Sequence, residues 1–196
     1  MTPILVNKLD SQLSDQLSGQ GPSRAHCPPS LGKVESAPEK GATVDPGNIE
    51  SAYAPFVATL REGGFTTPAE GWPAELVAAH VCRNNDIVSE AAEAVAAGGQ
   101  PKYDNSPAVD DAELRSYAES LGGLGGLAQA VEVSARRLAS AFAALDDEAA
   151  GHLMPAVIVD SGRLVRDEPV AIGKFIELNA SRHIEMHLFQ LKALQS

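Results

Sequence analysis

The sequence predicts an all-α protein: a four-helix bundle with a short hairpin or extended link before its last helix. Three observations carry this expectation. Aromatic residues make up 5% of a chain that is 44% hydrophobic, so its core is built mostly from Ala, Leu and Val, which suits packed helices. Long segments repeat apolar residues at helical spacing, with Gly-Gly pairs and prolines between them. One late stretch, Met154 to Val159, is β-branched and reads as extended.

The chain of 196 residues allows one domain of ordinary size plus a tail. Residues 1–46 form the tail, a disordered or poorly ordered extension. Ser11 to Asp45 is rich in Ser, Gln, Gly and Pro and contains Cys27-Pro28-Pro29. Leu5, Leu9, Leu13 and Leu17 recur every four residues, which permits a short helix there. Residues 47–196 are expected to form the folded four-helix bundle domain.

The first helix starts at Asp45-Pro46, a capping residue followed by a proline fitted to the first helical position. Ile49, Tyr53, Phe56, Val57 and Leu60 keep helical spacing, and Gly63-Gly64 stops it. The second starts at Trp72-Pro73. It carries a long stripe including Leu76, Val77, His80, Val81, Val88 and Val95, and ends at Gly98-Gly99. The third begins near Val109-Asp110-Asp111, whose carboxylates complement the positive end of the helix dipole. Four glycines in Gly122 to Gly126 cost roughly 1 kcal/mol each inside a helix, so a break or kink is expected before helix resumes through Ala128 to Leu145. A phosphate-cradling loop is the rival reading, but no strand precedes it and no Gly-Lys-Ser/Thr follows. Met154 to Val159, a turn at Ser161-Gly162 and Leu164-Val165 give a hairpin or an extended crossover. The last helix runs from about Glu168-Pro169 to Leu194.

Charge and composition exclude several classes. A net charge of −11 with no Lys/Arg cluster disfavours nucleic acid. No apolar run reaches the roughly 18 residues that span a bilayer, so a cytoplasmic location with no membrane partner is expected. Cys27 and Cys82 lie in different contexts and outside any Cys-x-x-Cys, so no disulfide is expected and Cys82 reads as a buried inert thiol.

The chemistry concentrates in the last helix. His183 and His187 are one turn apart, separated by about 400° of rotation, and so share a face. Two imidazoles so placed can bind one transition metal, and burying them without partners is costly. His80 sits on an apolar stripe of the second helix. If the two helices face each other, three imidazoles converge, and three ligands with an open position is the pattern of a catalytic metal site. The plainer reading is that His80 only bonds a buried carbonyl. In the Arg83-Asn84-Asn85-Asp86 run, Asn84 lies one turn beyond His80, within reach of a bound ligand or a water beside it; an exposed face is the default there. Arg182 and Glu185 should point away into solvent. Glu177, about two turns before His183, is open to a supporting or basic role.

Trp72 followed by His80, then His-x-x-x-His near the end of a bundle, resembles the DinB/YfiT-like metalloenzyme superfamily. More narrowly it is similar to the N-terminal domain of mycothiol-dependent maleylpyruvate isomerase. The acidic opening of the third helix at Val109-Asp110-Asp111 and the hairpin-like stretch before the last helix are similar too. The likeness spans about residues 48–195, and that isomerase carries a second domain after the bundle. The resemblance implies a DinB-like bundle whose metal ligands are His80, His183 and His187. It implies a divalent ion, zinc or nickel, with mycothiol or a similar thiol as cosubstrate. The enzyme would activate that thiol for S-transfer or thiol-assisted isomerisation of an electrophilic substrate, and a homodimer is the assembly it allows. Two alternatives stand beside this reading: a metal-dependent hydrolase using metal-bound water, and a non-catalytic helical binding module.

Overall fold

The computed structural model describes residues 46–160 and 162–195. The N-terminal extension, its leucine recurrence, Cys27 and the Asp45 cap lie outside the described residues, as does Ser161 in the expected turn. Four long helical segments dominate: α1 (Pro46–Glu62), α2 (Ala74–Ala96), α5 (Leu124–Ala143) and a C-terminal segment. That last segment is α7 (Ile172–Leu178), a π-helical turn at Asn179–His183, and α8 (Ile184–Leu194). Between them lie the shorter α3 (Ser106–Val109), α4 (Asp111–Ser120) and α6 (Asp147–Ala150).

The helices pack because their apolar stripes match. α5 lies against both α1 and α2, and α8 packs against both of the same helices. Tyr53 and Phe56 of α1, Leu76 of α2, Leu127 and Leu138 of α5, and Leu191 of α8 are fully buried. Each such side chain contributes roughly 1.5–3 kcal/mol relative to exposure. A buried polar chain links three helices: the Tyr53 hydroxyl donates to Asn85 Oδ1 at 2.7 Å, and Asn85 Nδ2 donates to Ser134 Oγ at 3.1 Å.

The fold is mostly helical, but it is not purely α. A three-stranded sheet joins β1 (Tyr103–Asp104), β3 (Ala156–Asp160) and β4 (Arg163–Asp167) in the order β1-β3-β4. β3 and β4 form the expected hairpin, whereas β1 runs parallel to β3 with Tyr103 opposite Ala156. A second pair, β2 (Leu153–Met154) with β5 (Val170–Ala171), precedes the last helical segment. That pairing moves the helix start from the expected Glu168 to Ile172, because Val170 is held in a ladder and the Ile172 amide bonds the His152 carbonyl at 3.0 Å.

Two other boundaries follow local chemistry. Asp110 caps α4, its carboxylate accepting from the amides of Ala112 and Glu113 at 3.0 and 2.9 Å. The glycine stretch breaks the chain between α4 and α5 as expected. Gly122 and Gly123 take φ of 77° and 81°, where a Cβ is disfavoured, and α5 then resumes at Leu124. Among the described residues no helix is long and apolar enough to cross a membrane.

Candidate metal centre

α2 is enclosed by α4, α5 and α8, so most of its surface is buried. His80 therefore reaches the C-terminal segment, as the stripe suggested. Asn84 and Asn85 do not form the expected exposed face: they are 2% and 0% exposed. The outer residues of that run are half-buried, with the Arg83 guanidinium 5.5 Å from the Tyr117 ring and Asp86 3.7 Å from Arg137. Arg182 and Glu185 are exposed and pair with each other at 3.6 Å, clear of the site. Glu177 is half-buried and ion-paired with Lys174 at 3.0 Å.

His80, His183 and His187 meet in the interior, exposed by only 1%, 2% and 2%. His183 Nε2 lies 3.0 Å from His80 Nε2 and 3.2 Å from His187 Nε2. Potential ligand atoms of the three residues all fall within 4.8 Å of one another.

The other ring nitrogens decide which atoms face inward. His80 Nδ1 is 2.6 Å from the Ala108 carbonyl, and His187 Nδ1 is 3.0 Å from Gln190 Oε1. Both oxygens only accept, so both Nδ1 atoms carry the proton and, in the neutral rings, both Nε2 atoms present lone pairs. Both lone pairs point at His183 Nε2. A single proton on His183 Nε2 cannot serve two acceptors well, and His183 Nδ1 is itself buried without a partner. A cation at the centre would satisfy all three Nε2 atoms. With Zn–N near 2.0–2.1 Å, ligand nitrogens stand about 2.9 Å apart in a facial octahedral set and about 3.3 Å apart in a tetrahedral one. The observed 3.0 and 3.2 Å fall within that range, and ligand atoms of all three residues lie within 4.8 Å of one another, so the donor set could hold a divalent metal.

Electrostatics favour the neutral, ligating forms. Burial, followed by the nearby His187 and His80, holds His183 well below the ordinary histidine value. Burial and then His80 push His187 down to about 3, with the Gln190 bond opposing. Cys82 takes no part: it is a buried free thiol, raised to about 12 by burial and by Asp86.

Around the cluster stand Trp72 and Asn84, both noted for their spacing from His80, and several residues that had not stood out. The Trp72 indole sits 5.1 Å from the His80 ring, and its Nε1–H donates to Asp111 at 2.8 Å, closing one side of the site. Beside His80 and His183 lies a small pocket walled by Asn84, Tyr103, Asn105 and Phe175, with room for about one water. The Tyr103 hydroxyl donates to Asn84 Oδ1, and Asn84 Nδ2 donates to Asn179 Oδ1 at 2.8 Å. Gln190 and Asn179 were findable, since they lie three residues after His187 and four before His183. Tyr103 enters through β1, a two-residue strand without a sequence signal.

A mostly helical protein whose three clustered, buried imidazoles could hold one ion is the class that fold and site define. The family model for the mycothiol maleylpyruvate isomerase N-terminal domain matches residues 48–165, more than half of the chain, and the chain belongs to that family. The match takes in Trp72 and His80 and ends before His183. Comparison with curated proteins and with solved structures gives no match.

Proposed function

We propose that this protein is a divalent-metal-dependent enzyme that activates a low-molecular-weight thiol of the mycothiol class. The activated thiol serves S-transfer to an electrophilic substrate or its thiol-assisted isomerisation. The observation that carries the reading is the convergence of the Nε2 atoms of His80, His183 and His187, in a chain of this family. The four long helical segments are read as a DinB-type four-helix bundle formed by residues 47–196. Zinc is the first choice of ion and nickel the second, because imidazole suits both. When bound, such an ion stabilises thiolate over thiol. The chain supplies the rest: Ala108 and Gln190 orient two imidazoles, Trp72 screens His80, and Tyr103, Asn84 and Asn105 give the adjoining pocket a polar wall. The small-molecule partners and a cytoplasmic setting belong to the same proposal.

The test is elemental analysis of the purified protein beside a His183→Ala/His187→Ala variant. About one equivalent of zinc or nickel, lost in the variant, supports the site. Cobalt-substituted protein should then develop a sulfur-to-metal charge-transfer band with a thiol such as mycothiol. Metal binding without thiol binding, accompanied by ester or amide turnover, would favour the hydrolase. No metal even after reconstitution would leave a non-catalytic helical module.

A further inference from the structure

We infer that Asn179 is a positioning residue for His183, acting through one bridging water. This rests on the metal reading of the histidine cluster. Two of the three imidazoles have their outward Nδ1–H fixed by a protein oxygen, the Ala108 carbonyl for His80 and Gln190 Oε1 for His187. The third does not: His183 Nδ1 is buried and meets no protein partner. Once Nε2 of His183 ligates an ion, the ring proton must reside on Nδ1, leaving a buried donor unspent.

A second unspent donor lies close in the chain. Asn179 is 1% exposed, and its Oδ1 is occupied by Asn84 Nδ2 at 2.8 Å, yet its own Nδ2 has no partner. Asn179 and His183 are the first and last residues of the π-helical turn. A π turn advances less per residue than an α turn, so residues four apart sit more nearly one above the other than in an α-helix. Asn84 is itself held by the Tyr103 hydroxyl, so the Asn179 amide cannot turn alone without breaking its bond to Asn84. Both donors belong to this one turn and each needs an acceptor. A water oxygen has two lone pairs and can take both. The bridge would give His183 the orientation that Ala108 and Gln190 give the other two ligands.

Asn179→Asp and Asn179→Leu separate this role from a merely structural one. The aspartate retains an oxygen for Asn84 and adds an acceptor facing His183, which raises the basicity of that ligand. Cobalt affinity, measured at neutral pH by competition with a chromophoric chelator, should tighten by about tenfold in Asn179→Asp and weaken by roughly 10–100-fold in Asn179→Leu. The visible absorption of the bound cobalt should shift in both variants. If the leucine variant does not fold, the aspartate variant decides alone. Affinity in Asn179→Asp within about threefold of wild type, with an unchanged cobalt spectrum, would overturn the inference and leave Asn179 as a tie to Asn84. A wild-type protein that binds no cobalt overturns this inference and the metal reading together, whereas metal binding indifferent to both variants overturns this inference alone.

Discussion

His80 Nε2 stands 3.0 Å from His183 Nε2, although 103 residues separate them in the chain. Either a shared proton or a shared metal ion favours so close an approach of two ring nitrogens, and the Nδ1 bond to Ala108 keeps His80 turned inward. His80→Gln keeps a polar side chain but removes the imidazole nitrogen. Its metal affinity should fall by more than the roughly 100-fold that loss of an orienting partner costs. Chelator competition measures this, and an affinity equal to wild type would remove His80 from the ligand set.

Trp72 is the one tryptophan of the sequence, and its ring lies 5.1 Å from that of His80. Its fluorescence should therefore report on the site. Nickel or cobalt should quench the emission progressively and saturate near one equivalent, while His80→Gln should show little quenching at the same metal concentration. Trp72→Phe keeps an aromatic ring against His80 but loses the bond to Asp111. That bond is at the surface, so its loss should cost about 1 kcal/mol in urea unfolding.

What was legible in the sequence is what depends on short-range periodicity. The shared face of His183 and His187 follows from their spacing, and the helix breaks at Gly63-Gly64 and Gly98-Gly99 follow from backbone preference. The meeting of His80 with that pair needed the family resemblance, because periodicity identifies an inward stripe but not the helix it faces. Asn84 was misjudged for a physical reason: an amphipathic stripe assumes one buried face, whereas α2 has neighbours on several sides. β1 was missed because two residues carry no alternation, and its existence depends on β3, more than fifty residues later. The orienting partner of His80 is a backbone carbonyl, which no side-chain pattern can announce.

The glycine stretch supports two substitutions of opposite sign. A Cβ on Gly126 would fall on the Leu121 carbonyl oxygen, a backbone atom that cannot swing aside. Gly125, its neighbour in the first turn of α5, has open space where a Cβ would stand. Gly126→Ala should destabilise by about 2 kcal/mol or more, as overpacking against a fixed group does. Gly125→Ala should stabilise by roughly 0.4–1 kcal/mol, chiefly by restricting the unfolded chain. Urea denaturation of the two variants beside wild type measures both, and a similar effect at both positions would contradict the packing described at this corner.

The histidine cluster should also set how the metal-free protein responds to acid. Burial is the main reason that His183 lies well below its ordinary value and that His187 is pushed down to about 3. In the unfolded chain both rings take up protons as the pH falls through about 6.5, whereas the folded protein keeps them neutral. The unfolded state thus binds more protons across that window. The stabilising contribution is fully present above about pH 7 and declines as the pH drops from about 6.5 toward the folded values, by up to roughly 1.4 kcal/mol per pH unit for each histidine. Urea midpoints of chelator-treated protein should therefore be flat above about pH 7 and fall steeply toward about pH 5, before most carboxylates titrate. His187→Phe should make that fall shallower by removing one of the two titrating rings. Bound metal should hold the midpoint up to the pH at which protons displace it, and then let it drop more abruptly, because ligation and protonation compete for the same nitrogen. A midpoint in the metal-free protein that does not change between about pH 7 and pH 5 would mean that these imidazoles are not kept neutral by burial.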